Sequence, residues 1–388
     1  MSITLTGNPI HHTPIEAKAP VLKVVGIGGG GQNAVNRMIE LGLEGVDFIV
    51  ANTDAQVLQS SLAPTKIQLG PKLTRGLGAG GNPSVGEAAA EESYKELNQA
   101  LAGADMVFLT AGMGGGTGTG AISIVARVAK SLGAVVVAIV TTPFTFEMGR
   151  RSRNAREGVA KLQPFTDTLI SVPNDRLLQV APIDLPIEMA FRLADDILRQ
   201  GVQGISELIT QPGLINVDFA HVRNLMQGGG GSLLAIGTAE GDNKAVDAIE
   251  HALHHPMLET INLENANGII ANFTGGDDMS FAEVTDALIY LQQKTNSRIE
   301  IVPGVITDKR MQGRAQVTLV ITGIGGTAVN TPKFEGVRQQ VEPKVNAELD
   351  PAQTFVLHTP TQQAVPQFEM AGTPNDLDIP AFMRRRVY

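Results

Sequence analysis

Apolar and polar residues alternate along the first half of the chain in a pattern that predicts strands separated by helices. Uninterrupted apolar runs, rich in β-branched residues, occur at residues 22–27, 46–51, 106–111, 134–141 and 169–172. Helical spacing occurs at residues 33–41, at residues 84–101 and in a segment that ends at residue 132. Ser84 is predicted to cap its helix, with Glu87 completing a capping box. Because buried strands that alternate with helices form parallel sheets covered on both faces, we predict an α/β fold.

A long amphipathic helix separates this region from a second one. Its apolar residues keep a 3.6-residue period over about six turns. They are Ile187, Ala190, Phe191, Ala194, Ile197, Leu198, Val202, Ile205 and Leu208. Beyond the helix, strand-like runs at residues 233–238, 268–273, 299–306 and 316–321 enclose helical runs at residues 244–253 and 281–292. A helix in this position is expected to join two α/β domains.

The two ends of the chain differ from the regions between them. Residues 1–20 are polar and contain proline, and we predict that they are disordered. Gln, Pro, Thr and Ala dominate residues 331–375, a composition typical of a flexible linker. The last thirteen residues combine acidic and apolar side chains with three arginines, Arg384–Arg386. A short amphipathic end on a tether is typical of a docking peptide, and a frayed terminus is the alternative interpretation.

Composition and charge narrow the functional classes. The 388 residues are 43% hydrophobic and 18% charged, which is typical of a globular protein of about two domains. There is no cysteine, which excludes disulfides, thiolate metal sites and cysteine nucleophiles. The formal charge of −9 disfavours a nucleic-acid partner, although it permits binding of a single nucleotide. Because no apolar run reaches about 18 residues, we expect no direct membrane insertion and a cytoplasmic location.

Two glycine clusters each follow a predicted strand and precede a helix. Gly26, Gly28 and Gly31 satisfy G-x-G-x-x-G, which alone fits either a dinucleotide site or a tight turn. The second cluster occupies residues 112–120, and both clusters are expected at the carboxyl ends of strands, where α/β sheets bind ligands. Free backbone N–H groups at helix N-termini attract phosphate there. A third glycine-containing loop, residues 76–81, is expected near a γ-phosphate.

The chain contains no Walker-type G-x-x-x-x-G-K-[ST] motif, so no lysine of that kind neutralises bound phosphates. We therefore expect backbone dipoles and Mg²⁺ to do so, with the hydroxyl groups of Thr117 and Thr119 close to the phosphate or the cation. No protein residue is predicted as a dedicated metal ligand.

Residues 112–120 resemble the signature of the tubulin/FtsZ superfamily, and within it the FtsZ family of bacterial cell-division GTPases. The resemblance covers about residues 22–322 and residues 376–388, with the motifs in the family's order and spacing. Other similar stretches are residues 26–33, 51–55, 76–86, 143–147, 172–175, 203–205, 208–209, 216–219 and 378–382. It implies a Rossmann-like GTPase domain with a parallel sheet, a long central helix, a second α/β domain and a flexible C-terminal tail.

The implied domain boundaries are residues 21–183 for the nucleotide-binding domain, 184–209 for the central helix and 210–330 for the C-terminal activation domain. The linker of residues 331–375 and the docking peptide of residues 376–388 follow.

The resemblance also implies binding of GTP and GDP. The positions that match the family's nucleotide contacts are Gly29, Gly30, Gly31, Gln32, Asn33, Gly81, Gly115, Gly116, Thr117, Gly118, Glu147, Arg151, Asn174, Phe191 and Asp195. Among them, Glu147 is expected to bind the ribose hydroxyls, with Arg151 one helical turn further on. Asp195 is expected to accept hydrogen bonds from guanine, although Asp196 beside it could be confused with it. Phe191 is expected either to pack on the base or to belong to the core.

Catalysis in the family is assembled between subunits: one subunit binds GTP, and the next supplies an acidic loop that activates water. In this chain the loop is residues 216–221, and Asp218 matches its first acid. The second acid is expected at position 221, where this chain has His221. Imidazole has an ordinary pKa of about 6.5 and is mostly neutral at pH 7, so it lacks the fixed negative charge of a carboxylate. We therefore expect slower hydrolysis without loss of GTP binding.

Three functions stay open on the sequence. The first is a GTPase that assembles head to tail with itself at the division site and docks a membrane-tethering adaptor through Asp376 to Arg386. The second is a co-assembling paralogue that binds GTP and hydrolyses it poorly because of His221. The third is an NAD-dependent oxidoreductase, which uses the first glycine loop and leaves the second unexplained. Two further departures from the family pattern are Met148 and the glycine run at Gln227–Gly231, whose role the sequence does not assign.

Overall fold

The computed structural model describes residues 19–147, 149–179, 182, 184–211, 218–227, 231–254, 266–295 and 299–324. The predicted linker and docking peptide, Met148 and Gly228 to Gly230 lie outside the described residues, as do residues 1–18 of the predicted N-terminal segment. None of the described helices combines the length and the apolar character needed to cross a membrane.

Within the described residues, ten strands form one sheet. They are β1 (Leu22–Ile27), β2 (Asp47–Asn52), β3 (Thr65–Gln68), β4 (Met106–Gly112), β5 (Val135–Thr142), β6 (Thr168–Pro173), β7 (Gly231–Glu240), β8 (Gly268–Gly275), β9 (Glu300–Thr307) and β10 (Arg314–Ile324). Their order across the sheet is β3-β2-β1-β4-β5-β6-β7-β10-β8-β9. Only β10 runs antiparallel to its neighbours among these strands, so the predicted α/β fold with a mostly parallel sheet is confirmed.

The described helices connect these strands. They are α1 (Gly28–Glu40), α2 (Ala55–Gln59), α3 (Pro71–Thr74), α4 (Pro83–Glu92), α5 (Tyr94–Leu101), α6 (Thr117–Ser131), α7 (Gly149–Leu162), α8 (Asn174–Leu177), α9 (Ile187–Thr210), α10 (Phe219–Gln227), α11 (Lys244–Leu253) and α12 (Phe281–Lys294). α1, α9 and α10 bury their apolar faces on one side of the sheet, and α4 to α7 on the other. α11 and α12 cover the strands β7 to β10.

The predicted long helix is α9, and it lies across both predicted domains. Gly201 brings the helix so close that an added Cβ would lie 3.0 Å from Ile139 of β5 and 3.0 Å from Leu234 of β7. One turn further on, the carbonyl of Gly204 accepts a 3.1 Å hydrogen bond from the buried amide of Asn272. β6 and β7 pair next to each other as well, so the sheet continues from the first region into the second. The boundaries between the predicted domains stay a prediction.

The predicted cap at Ser84 is wrong. The side chain of Asn82 accepts from the backbone N–H of Ser84 at 3.1 Å, so Asn82 is the N-cap and Pro83 opens the helix. Glu87 does not close a capping box; its carboxylate pairs with Lys161 at 2.8 Å. Asn and Ser cap equally well, and the proline at the first helical position was the signal that favoured Asn82.

Two helix limits also differ from prediction. The expected helix of residues 84–101 is interrupted at Ser93, whose hydroxyl accepts from the N–H of Gly70 at 3.0 Å. The helix expected from residue 33 begins already at Gly28, inside the glycine cluster.

Candidate functional site

Three glycine loops meet at the carboxyl ends of β1 and β4, as the sequence predicts for the first two. Gly28 has a φ of +70°, and a Cβ added to it would lie 2.8 Å from the backbone nitrogen of Gly118. A Cβ on Gly116 would lie 2.9 Å from the nitrogen of Asn82, which follows the third loop. Such approaches are possible only without side chains, so the glycines bring the three backbones together.

The same loops leave space open for a ligand. Cβ atoms added to Gly29, Gly81 and Gly115 would meet no atom of the described residues within 4 Å. α1 and α6 begin here, and the first N–H groups of a helix have no partner within the helix. Two helix N-termini therefore direct unpaired donors and partial positive charge toward one open space, which is the arrangement that binds phosphate.

Hydrogen bonds hold the loops in place. The hydroxyl groups of Thr53 and Thr117 lie 2.6 Å apart and tie the segment after β2 to the start of α6. The N–H of Gly114 donates to the hydroxyl of Thr119 at 2.7 Å. The amide of Asn154 on α7 donates to the carbonyl of Gly114 at 3.2 Å. These contacts tie the loops to one another through the protein's own groups.

Two neighbouring predicted nucleotide contacts, Gln32 and Asn33, differ in the exposure of their side chains. Gln32 is buried, and its amide donates to the carbonyl of Val57 at 2.5 Å, so its side chain supports α2. Only the backbone of Gln32 is therefore available to phosphate. Asn33, by contrast, is exposed at the surface of α1.

Glu147 and Arg151 lie together at the end of the segment that follows β5. Their side chains form an ion pair, and the other carboxylate oxygen of Glu147 accepts from the N–H of Phe144 at 2.9 Å. The side chain of Glu147 is only 9% exposed, whereas that of Arg151 is 55% exposed. The predicted shared face is confirmed; a role in binding ribose stays a prediction.

Asn174 presents a buried acceptor without a partner. The residue is 5% exposed and begins α8, directly after the carboxyl end of β6. Its Oδ1 atom has no hydrogen bond within the described part of the chain. An orphaned buried oxygen at this edge fits a ligand that carries a donor, such as a hydroxyl or an amino group.

Three phenylalanines cluster next to this segment. Phe191 on α9 packs edge-on against Phe144 at 5.4 Å and against Phe146 at 6.4 Å between ring centroids. Phe191 is 38% exposed and Phe146 is 51% exposed. Phe191 therefore packs on other rings and also keeps an open surface; its contact with a base stays a prediction.

The neighbouring carboxylates Asp195 and Asp196 differ sharply in environment. Asp196 contacts Arg199 at 2.7 Å and the amide of Gln200. Burial raises the pKa of Asp196, but the hydrogen bond and charge of Arg199 outweigh burial and hold it below the usual value. No hydrogen bond or ion pair joins Asp195 to another described residue, and burial raises the pKa of Asp195 to about 7. Of these two carboxylates, Asp195 is therefore the one that can accept hydrogen bonds from a ligand.

Asp218 and His221 lie at the opposite edge of the sheet from the glycine loops. Asp218 directly precedes α10 and His221 lies in its first turn, before the start of β7; His221 contacts Glu300, the first residue of β9. β5, β7 and β9 all run in the same direction, so their starts lie at the edge away from the glycine loops. At about 3.3 Å per residue, one strand length separates the two edges by roughly 20–26 Å.

Asp218 and His221 line an open cavity of about 580 Å³. The other lining residues are Ala220, Asn224, Leu225, Asn267 and Glu300. Sequence reasoning missed Glu300, which lies 79 residues after His221. One signal for Glu300 was present in the sequence: it is a charged residue inside the apolar run at residues 299–306, which was predicted to be a strand.

The described residues contain no group of three or more His, Asp or Glu side chains that could hold a metal ion. Mg²⁺ does not require such a group, since it is commonly bound through substrate phosphates, water and one or two protein oxygens. The hydroxyl of Thr117 is an oxygen of that kind at the phosphate crevice, whereas Thr53, which it contacts at 2.6 Å, is fully buried.

Comparison with known proteins agrees with this geometry. Residues 21–182 match the GTPase domain of the tubulin/FtsZ family, and residues 230–325 match the C-terminal domain of the FtsZ family. A structure of the FtsZ dimer of M. jannaschii is 41% identical, with a TM-score of 0.77, covering 80% of this chain and 90% of that chain. A tryptophan-to-tyrosine mutant of that FtsZ is also 41% identical, with a TM-score of 0.76, covering 79% and 92%.

A more distant structure shares the fold. CetZ2 from Haloferax volcanii, in a GTPγS-bound protofilament, is 20% identical, with a TM-score of 0.67, covering 79% of this chain and 94% of that chain.

The GTPase-domain match includes both glycine loops, so the oxidoreductase interpretation of the first loop loses its basis. GTP and GDP binding follow from this domain. The chain belongs to the tubulin/FtsZ family of GTPases and has the FtsZ C-terminal domain.

Proposed function

We propose that this protein is a self-assembling cytoskeletal GTPase of the bacterial division ring, which hydrolyses GTP to GDP and phosphate between adjacent subunits. One observation carries the proposal: the phosphate crevice and the Asp218 pocket lie at opposite edges of one sheet. A single chain cannot bring both to one nucleotide. A second copy stacked head to tail would place its Asp218 edge over the first copy's crevice.

Each part of GTP has a partner in the proposed site. The N-termini of α1 and α6 bind the phosphates through backbone N–H groups of Gly29 to Gly31 and Gly115 to Gly118. Glu147 and Asn174 accept from the ribose hydroxyls or the base. Asp195 accepts from N1–H and N2–H of guanine, and the exposed rings of Phe191 and Phe146 line the base.

Mg²⁺ would complete the phosphate site by neutralising charge on the triphosphate. Because the chain has no P-loop lysine, the protein's own contribution is dipolar: the helix N-termini and the hydroxyl of Thr117. These groups orient the γ-phosphate toward the open side of the crevice.

Assembly and docking complete the proposed role. The M. jannaschii protein was solved as a dimer and the Haloferax protein as a protofilament, which supports self-association of this fold. Phosphate loss would weaken the contact between subunits. The tail from Asp376 to Arg386 would dock a membrane-tethering adaptor that brings the filament to the division site.

The test of this function is phosphate release from GTP, measured against protein concentration. We expect turnover per subunit to rise with concentration and then level off, because a half-site is inactive without its neighbour. Turnover per subunit that is measurable but independent of concentration would contradict a site formed between subunits. Light scattering on the same samples reports assembly separately from hydrolysis.

The alternative function, a GTP-binding scaffold with weak hydrolysis, is favoured by His221 at the second acid position. It predicts a flat, near-zero rate that His221→Asp raises severalfold. Binding of GTP in both proteins, measured by calorimetry, is the control. A rate that is already high and concentration-dependent with His221 in place would exclude the scaffold.

Two neighbouring glycines allow binding to be separated from folding. We expect Gly28→Ala to destabilise the protein by about 1–3 kcal/mol, because alanine at a φ of +70° is strained and its Cβ meets the backbone of Gly118. Gly29→Ala should keep the melting temperature, since its Cβ meets no protein atom, yet lower GTP affinity by about tenfold by occupying phosphate space. Calorimetric melting and nucleotide titration check the pair. Unchanged GTP affinity in Gly29→Ala would contradict the phosphate site.

A further inference from the structure

His221 does not stand alone in its pocket. Its Nε2 atom is in hydrogen-bond contact with Oε1 of Glu300. The contact joins the first turn of α10 to the first residue of β9, two elements that are far apart in sequence. Position 221 itself has no carboxylate, but the Glu300 carboxylate contacts the imidazole ring at that position.

Hydrogen bonds hold the turn that carries His221, and the His221–Glu300 pair is open to a ligand. The N–H of His221 donates to the carbonyl of Asp218 at 2.9 Å, and the N–H of Ala220 donates to the Asp218 carboxylate at 3.1 Å, so the turn holds both side chains on one pocket. The side chains of His221 and Glu300 are 50% and 54% exposed. A phosphate group from outside the subunit can therefore approach them.

A carboxylate on one imidazole nitrogen decides what the other nitrogen does. When Glu300 accepts from Nε2–H, the neutral ring carries its lone pair on Nδ1, which becomes the proton acceptor. The carboxylate also stabilises the imidazolium that forms when Nδ1 takes a proton, as carboxylate–histidine pairs do in hydrolases. Together the two side chains supply a base and a negative charge.

We propose that Glu300 is a positioning residue for GTP hydrolysis, acting through His221, so that the His221–Glu300 pair replaces the second acid of the catalytic loop. The proposal rests on the proposed function, since the γ-phosphate is that of the next subunit's GTP. Asp218 orients the attacking water, and Nδ1 of His221 accepts one of its protons.

The step balances without any further reactant. The water oxygen forms a bond to the γ-phosphorus while the bond from that phosphorus to the β,γ-bridging oxygen breaks. The bridging oxygen keeps the electron pair and leaves on GDP. The proton on the imidazolium then passes to inorganic phosphate or to solvent, which restores neutral His221 paired with Glu300.

A purely structural role of Glu300 would make Glu300→Gln impair folding or assembly, whereas a positioning role would leave both intact. Exposed ion pairs contribute little to stability, so Glu300→Gln is expected to fold and assemble normally. Its effect should be confined to turnover per assembled subunit, with the KM for GTP unchanged, because Glu300 lies at the edge opposite the crevice that binds the nucleotide.

Four proteins test the pairing: the wild type, Glu300→Gln, His221→Asp and the double variant. We expect Glu300→Gln alone to lower turnover by about 10–100-fold at equal polymer mass. In the His221→Asp background the same change should leave turnover equal or raise it, because a carboxylate at 221 needs no partner and is repelled by Glu300. Glu300→Asp should restore part of the wild-type rate.

The matched control is Glu240→Gln, which removes an exposed carboxylate paired with Arg314 at the end of β7, the far edge from the pocket. It should keep wild-type turnover. Wild-type turnover in Glu300→Gln, or an equal loss in both backgrounds, would overturn the inference alone. Absence of turnover in the wild type and in all variants, despite GTP binding, would overturn the proposed function together with it.

Discussion

Asp195→Asn should lower GTP affinity by about 10²–10⁴-fold, since two hydrogen bonds to a charged acceptor are worth about 1.5–3 kcal/mol each. Among the described residues, none forms a hydrogen bond or ion pair with the Asp195 carboxylate, whereas Asp196 is engaged by Arg199. Asparagine offers one acceptor and an amide N–H₂ that faces the donors of guanine. Calorimetric titration with GTP at pH 8 measures the loss.

The exchange of donor and acceptor also predicts a change of specificity. Xanthine carries a carbonyl oxygen where guanine carries its 2-amino group, so the side-chain amide that Asp195→Asn introduces can donate to it. We expect this variant to prefer xanthosine triphosphate over GTP, with the reverse preference in the wild type. The control is Asp196→Asn, which should keep GTP preference; equal GTP affinity in Asp195→Asn and the wild type would exclude Asp195 as the guanine contact.

Burial of the Asp195 carboxylate lowers the stability of the fold, although the same carboxylate is expected to strengthen GTP binding. The pKa of this carboxyl in the folded chain, about 7, lies above its unfolded value of about 3.8, so the fold without nucleotide loses stability as pH rises from about 4 to 7. At pH 8 the full cost, about 2–4 kcal/mol, is present. Asp195→Asn should therefore melt higher than the wild type at pH 8, with the difference vanishing near pH 4. Such a residue trades stability for binding.

The sequence predicted the strands well because their apolar runs are long and continuous. The ten-stranded order could not be predicted in the same way, and β3 was missed because Thr65–Gln68 is short and largely polar. The cap at Asn82 was missed because two good capping residues stand two positions apart. The ends of an element thus depend on local competition between residues, whereas a buried strand is marked by its own continuous apolar run.

The site was predicted in parts. Glycine clusters and motif order identified the crevice, because phosphate binding is encoded in short contiguous loops. The Phe144–Phe146–Phe191 cluster and the contact of His221 with Glu300 join segments far apart in sequence. Only the parallel alignment of β7 and β9, which places their starts at one edge, brings His221 and Glu300 together. Contacts of this kind require topology as well as sequence.

Asp218→Asn should lower turnover by about 10²–10⁴-fold while leaving GTP affinity and assembly intact, because the residue orients water for the neighbouring subunit's nucleotide. Asp218 lines the pocket at the edge opposite the crevice, so its loss does not touch the nucleotide that its own chain binds. The measurement is phosphate release with calorimetric GTP binding and sedimentation of polymer on the same preparations. A parallel fall in GTP affinity would contradict this separation.

Mixing two inactive variants tests the same geometry more directly. Asp218→Asn keeps its crevice, and Asp195→Asn keeps its Asp218 edge, so an interface between them has both halves intact in one orientation. At a GTP concentration that fills the crevice of Asp218→Asn but leaves that of Asp195→Asn largely empty, random head-to-tail pairing of equal amounts should give up to about a quarter of wild-type turnover, whereas each variant alone stays near zero. The double variant Asp195→Asn/Asp218→Asn mixed with either single variant is the control, since neither mixture contains an intact interface. A site complete within one chain would give no recovery in any mixture.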